Sequence, residues 1–153
     1  MFVGIFPTPV NWKQHLIEDE PGIDRVLRET RRVAVLGIKT EPSQPAHYVA
    51  AYAQRAGLEI VPVPVYYPDV TEILGQPVFR RLADIPGPVD MVDVFRRPAD
   101  IPQHLDDILA KAPRFVWFQS GIRNDAAAEQ LARAGIDVVQ DRCLMVELQR
   151  VRA

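Results

Sequence analysis

Five short runs rich in β-branched and apolar residues recur along the chain, at 33–36, 58–65, 89–95, 114–118 and 136–139, with helical patterns between most of them. Each run is apolar along most of its length rather than alternating. A strand of that kind is buried on both faces, which indicates a mainly parallel sheet flanked by helices on each side. Right-handed crossovers then make a doubly wound, five-stranded α/β sheet the economical solution, and the expected strand order is 3-2-1-4-5. The chain, 1–153, reads as a single domain, because 153 residues suffice for one core and no linker, repeat or low-complexity tract divides them. Residues 1–31 are expected to be an N-terminal arm and two short helices packed on that domain.

Between the runs the helices can be bounded. Pro42, Ser43 and Pro45 precede a narrow apolar face of Val49, Ala50, Ala53 and Ala56, which Gly57 ends. Pro62 and Pro64 should take the second run out of the sheet early. Residues 71–75 suggest a helical turn and 78–82 a short extended piece. Ile101, Leu105, Ile108, Leu109 and Ala112 mark an amphipathic helix stopped by Pro113. Asn124 suits the N-cap of a helix with the face Ala128, Leu131 and Ala132, ended by Gly135, and a last helix bears Leu144, Leu148 and Val151.

With 48% hydrophobic and 25% charged residues and a formal charge of -2, the chain has no global attraction to nucleic acid or to an anionic membrane. No apolar stretch approaches the ~20 residues of a membrane span, and the first residues lack the pattern of a signal peptide. A cytoplasmic protein is expected. The single cysteine, Cys143, excludes an internal disulfide framework and a cysteine-rich zinc site, in keeping with a reducing compartment. A homodimer would be formed, if at all, through the arm at 1–11.

Chemistry concentrates where the first run meets Gly37. A strand, a tight turn and a helix N-terminus follow one another there, so backbone N–H groups and the positive end of a helix dipole converge on one place. An anion suits that place. Ligands of open parallel sheets lie outside the carboxyl ends of the strands. Tyr66, Tyr67 and Pro68 stand at the end of the second run, and Phe95, Arg96 and Arg97 at the end of the third, where two cations could take phosphate.

A nicotinamide dinucleotide would need G-x-G-x-x-G at this turn, whereas Gly37 is followed by Ile38, Lys39 and Thr40. The acidic residue that grips the ribose is also missing, because Val63, Pro64 and Val65 end the second run. Gly37 with Pro42-Ser43-Gln44-Pro45, Tyr67-Pro68 before Glu72-Ile73-Leu74-Gly75, Val92-Asp93-Val94-Phe95-Arg96-Arg97-Pro98, Trp117-Phe118-Gln119-Ser120-Gly121-Ile122 and Asp141-Arg142-Cys143 together resemble the stand-alone CoA-binding proteins. These are similar to the N-terminal, CoA-binding domain of the succinyl-CoA synthetase alpha subunit. The resemblance covers 32–147 and rests on separated motifs in the right order.

The resemblance implies a Rossmann-like domain that binds coenzyme A along the carboxyl ends of its strands. Gly37, Ile38, Lys39 and Thr40, with Ser43 and Gln44 at the helix start, would meet the diphosphate. Tyr67 and Pro68 would flank the adenosine, Phe95, Arg96 and Arg97 would shape the far wall, and Gln119, Ser120 and Gly121 would line the pantetheine path. The 3′-phosphate of CoA gives the extra cations a purpose, with Arg80, Arg81 and Arg123 in reserve. Gln44 stands where the family pattern has arginine, and Tyr67 where it has asparagine.

No catalytic constellation emerges: His15, His47 and His104 lie in unrelated helical contexts, Asp106 and Asp107 read as a polar helix face, and no metal-ligand spacing is present. Nor is there room for the second domain whose histidine carries phosphate in the ligase relative. The expectation is a module that binds CoA or an acyl-CoA without being an enzyme. The alternatives are an NAD(P)-dependent oxidoreductase and an interaction subunit with a vestigial nucleotide pocket. Cys143 is the one reactive side chain, placed to meet the CoA thiol if the resemblance holds.

Overall fold

The structure is a computed structural model that describes residues 11–152, so the arm expected over 1–11 falls, apart from Asn11, outside the described residues. Five parallel strands form the main sheet: β1 (Arg32–Leu36), β2 (Glu59–Val63), β5 (Met91–Val94), β6 (Phe115–Phe118) and β7 (Asp137–Val139). Two others, β3 (Glu72–Ile73) and β4 (Gln76–Pro77), make a small antiparallel hairpin. The helices are α1 (Glu20–Glu29), α2 (Pro45–Arg55), α3 (Leu105–Lys111), α4 (Asp125–Arg133) and α5 (Leu144–Arg152). No helix among the described residues is long and apolar enough to cross a membrane.

The sheet order is β2-β1-β5-β6-β7, a doubly wound α/β arrangement as expected. The chain runs outward from β1 to β2, and the stretch after β4 then lies along the free edge of β2, where Phe79 N–H donates to the Pro62 carbonyl at 3.0 Å. That stretch takes the third position of the 3-2-1-4-5 pattern. The run at 89–95, read as the third strand, therefore pairs with the other side of β1, and β6 and β7 follow it outward. Pro62 is tolerated inside β2 because it lies at the edge of the ladder. The turn expected over 71–75 is not helical. Leu74 and Gly75 both have positive φ, 55° and 74°, which is the backbone of a two-residue hairpin and joins β3 to β4.

Alternate residues of each strand feed opposite faces. Ala34, Leu36, Val92, Val94, Val116 and Phe118 share one core with Ile108 of α3 and Leu131 of α4. Val33, Val35, Met91, Phe115 and Trp117 share the other with Val26 of α1, Val49 and Ala53 of α2 and Leu148 of α5. Burial on both faces explains why the strands read as unbroken apolar runs, each Val or Leu side chain contributing about 1.5–3 kcal/mol. The caps fall as expected at α4, where Asn124 Oδ1 accepts from Ala127 N–H at 3.0 Å. At α1 the N-cap is Asp19, which accepts from Gly22 N–H, so Pro21 and Gly22 sit inside the first turn.

Candidate functional site at the carboxyl ends of the strands

Three strand ends meet at Gly37. Its N–H donates to the Val63 carbonyl at 2.9 Å, and Phe95 N–H donates to the Leu36 carbonyl at 2.9 Å, so β2, β1 and β5 are tied together where the loop begins. Gly37 has φ 88°, and a Cβ there would overlap the Phe95 carbonyl oxygen. Only glycine permits this turn. Beyond it the loop folds back on α2: Lys39 N–H donates to the Ala46 carbonyl at 3.2 Å, and His47 Nδ1 lies 2.9 Å from the Lys39 carbonyl. Among the described residues the N–H groups of Ile38, Thr40, Ser43 and Ala46 have no acceptor. Of these, Ala46 stands in the first turn of α2, where a leftover donor suits a phosphate, whereas Ile38, Thr40 and Ser43 precede the helix.

Lys39, Gln44, Pro45, Ala46, Phe95, Arg96, Arg97, Pro98, Gly121 and Ile122 line a cavity of about 320 Å³ beside that loop. Three cations and the start of α2, with the unpaired Ala46 N–H, therefore border one space. A second cavity, of about 790 Å³, is larger but lies at the amino ends of β1 and β2. Size does not decide between them, because ligands of such sheets sit at the carboxyl ends, where the chain reverses direction across the sheet.

The two arginines are unlike each other. Arg96 is 10% exposed: its Nε–H donates to His104 Nε2 at 3.2 Å, its guanidinium lies 5.7 Å from the Tyr66 ring centre, and Asp100 is 3.7 Å away. Arg97 is 82% exposed and pairs with Asp100 at 2.8 Å. Arg96 is thus held ready, whereas Arg97 is free to move toward a ligand. The Arg96 hydrogen bond to its hydroxyl draws the Tyr66 pKa below 10.

The remaining expected site residues are placed as follows. Ile38 buries its side chain in the core under α2, leaving its main chain at the loop. Thr40 is half-buried, and Ser43, Pro68 and Ser120 are exposed. Tyr67, at φ 61°, does not line the cavity; Tyr66 is the tyrosine next to Arg96. Arg80, a reserve phosphate ligand, instead donates to the carbonyls of Tyr66, Tyr67 and Val70 and so fixes their loop. Arg123 pairs with Asp125.

Gln119 points inward. It is buried, its Nε2 donates to Asp93 Oδ1 at 2.5 Å and its Oε1 accepts from Leu144 N–H at 3.3 Å, so its side chain is not a wall of the cavity. Asp93 is fully buried and its Oδ2 has no partner among the described residues. Burial pushes its pKa up to about 7, against the opposing hydrogen bond from Gln119. A carboxyl inside the run Val92-Asp93-Val94 was the visible sign of this pair. The latch from Arg96 to His104 had no sign, because it depends on a 3-10 turn between them. Asp107 is more than a polar helix face, since it accepts from Leu82 N–H and Ala83 N–H. His15 does have an acid partner, Asp137 at 2.7 Å, at the start of β7. Among the described residues no three His, Cys, Asp or Glu side chains group to hold a metal.

Comparison with known proteins agrees with this geometry. A family model described as CoA binding domain matches residues 31–149. The uncharacterized protein YneT of Bacillus subtilis (strain 168) is 35% identical over 124 residues, 81% of this chain and 90% of that protein. A solved Thermus thermophilus protein, cell-free ID.343, is 40% identical with a TM-score of 0.81, over 88% of this chain and 99% of that one. A hypothetical protein from Pyrococcus horikoshii OT3 is 27% identical with a TM-score of 0.82, over 89% of this chain and 94% of that one.

Proposed function

The chain belongs to the CoA binding domain family, and from that premise we propose that it binds coenzyme A, or an acyl-CoA, at the carboxyl ends of its parallel strands without catalysing a reaction. The observation that carries this reading is the convergence of Lys39, Arg96 and Arg97 on a cavity that the first turn of α2 borders. CoA presents a diphosphate and a separate 3′-phosphate. The diphosphate belongs against the first turn of α2, at the Ala46 N–H, with Lys39 adding charge. Arg96 and Arg97 then take the remaining phosphate, Arg96 from a fixed position and Arg97 as a mobile arm. The pantetheine arm runs past Pro98, Gly121 and Ile122.

Nothing more than binding is asked of these residues. The protein's one cysteine is free, which suits a reducing cytoplasm. A homodimer through the arm belongs to the same proposal and lies outside the described residues.

Calorimetric titration with CoA, dephospho-CoA and NAD, alongside thermal unfolding, tests the reading. CoA at a hundred times its Kd should stabilise the fold by about 2.7 kcal/mol. Dephospho-CoA should bind more weakly and NAD not at all. Stabilisation by NAD alone would favour an oxidoreductase, and a flat response to all three would make the pocket vestigial.

A further inference from the structure

The 790 Å³ cavity at the amino ends of β1 and β2 has no part in the CoA reading. It lies where the last turns of α1 and α5 approach the starts of the two strands. Leu27, Leu58 and Leu148 close its floor from the core, and Val151, 38% exposed, offers the apolar surface of its wall. Its rim carries five arginines, Arg28, Arg31, Arg32, Arg150 and Arg152, in a chain whose formal charge is -2.

The two acids in its wall, Asp24 and Glu59, are already engaged. Glu59 accepts from Arg32 Nε at 2.8 Å, and Asp24 from Arg150 at 2.5 Å. Arg32 also donates to the carbonyls of Pro86 and Pro88, and Arg152 to that of Ala56. The guanidinium groups of Arg28 and Arg31 have no acceptor among the described residues. Helix C-termini favour cations by about 0.3–1 kcal/mol each, which accounts for Arg28, Arg150 and Arg152. It does not account for Arg31, which stands beyond the C-cap of α1 and whose main chain, not its side chain, is held by Asp90.

We propose that this cavity is a second binding site, for a small organic anion that carries an apolar body. Arg28 and Arg31 take the carboxylate, sulfonate or phosphate in planar, two-donor contacts. The hydrocarbon or aromatic part packs on Val151 and the edges of Leu27 and Leu58, where its own burial stabilises the complex. The site stands apart from the Gly37 loop, so both can be filled together, and it does not depend on CoA being the ligand there.

The probe is 1-anilinonaphthalene-8-sulfonate, an aromatic sulfonate whose emission rises on entering an apolar site, titrated into the full chain with and without saturating CoA. One saturable site should appear, unchanged by CoA and displaced by 4-phenylbutyrate more effectively than by pyrophosphate. Arg28→Gln with Arg31→Gln should weaken the probe about tenfold or more. Arg28→Gln gives up its helix C-terminus contribution, so the double variant should melt at most about 4 °C lower, whereas Arg31→Gln alone, exposed and unpartnered, should leave the midpoint in place and gives an independent reading. Displacement by CoA, equal displacement by pyrophosphate, no rise in emission, or an affinity within twofold in the double variant would overturn the proposal.

Discussion

Arg96 and His104 are joined by a 3.2 Å hydrogen bond in which Arg96 Nε–H donates to His104 Nε2. The imidazole must therefore be neutral, with its proton on Nδ1. Burial lowers the His104 pKa below 6.5 and Arg96 lowers it further, against the opposing charges of Asp107 and Asp100. With a depressed folded pKa, the unfolded chain binds more protons as pH falls through 6.5, so stability from this contact is present above that value and lost on acidification. Below the folded pKa, His104 repels the guanidinium it had held.

CoA affinity should accordingly fall on acidification, at a pH below 6.5, as Arg96 is released. The phosphates of CoA also titrate near pH 6, so the informative comparison is His104→Gln, whose amide oxygen can accept from Arg96 at any pH. That variant should bind like the original at pH 7.5 and better at pH 5.5. His104→Ala should lose about three- to tenfold at pH 7.5. Identical pH profiles for the original and His104→Gln would show that the latch is not titrating.

Asp93 behaves in the opposite sense. Its folded pKa of about 7 lies above the ordinary 3.8, so the unfolded chain gives up the proton first and stability falls as pH rises between those values. Asp93→Asn keeps an acceptor for Gln119 without the charge. It should be more stable than the original by on the order of 1–3 kcal/mol at pH 8 and nearly equal to it at pH 4.5. Urea unfolding at the two values checks this, and a difference that does not change with pH would refute it.

Gly37→Ala should be severe despite its small size. The new methyl meets the Phe95 carbonyl on backbone that three strands hold in place, and φ 88° is itself unfavourable for alanine. A loss of about 2 kcal/mol or more is expected in denaturant unfolding. Binding should fall with it, because relief of the clash moves the Ile38 N–H. By contrast, Gly121 has open space around its Cβ position, so Gly121→Ala is strained only by φ 81° and should cost less. Equal losses for the two would mean that the close approach to Phe95 is not what selects glycine.

The scaffold was legible because burial on both faces leaves strands such as β1 and β6 apolar without interruption, and because Asn124 and Gly135 bound α4 by local chemistry. The hairpin at β3 and β4 was not, since two short strands leave no period to read and Gly75 suits several turns. Lys39, Gln44, Phe95, Arg96, Arg97 and Gly121 do come together around one cavity. Gln119 could be placed at a strand end but not given a direction: its inward turn depends on Asp93, 26 residues away. Tyr66 and Tyr67 differ by one residue, and the positive φ of Tyr67 decides which of the two faces Arg96.

Cys143 is half-buried immediately before α5, on a loop held by Trp117 Nε1–H to the Arg142 carbonyl at 2.8 Å. If the CoA thiol reaches it, diamide should join the two: each thiol loses a proton, and the two electrons pass to diamide as the S–S bond forms. Intact mass should show one CoA adduct that reduction removes and that Cys143→Ser lacks. Absence of an adduct with CoA bound would place the thiol elsewhere.

Lys39 separates the main-chain and side-chain shares of anion binding. Its N–H and carbonyl are both committed, to Ala46 and His47, so the loop conformation does not depend on its side chain. Gln44 supplies no charge, so on the proposed reading Lys39 is the cation beside the diphosphate. Lys39→Ala should weaken CoA and dephospho-CoA equally, by about five- to tenfold at low salt and less at high salt. Arg97→Ala should instead weaken CoA while sparing dephospho-CoA, because only CoA has the 3′-phosphate. If Lys39→Ala binds both ligands normally, main-chain donors such as the Ala46 N–H hold the diphosphate without a cation, and raised salt should then leave dephospho-CoA affinity almost unchanged.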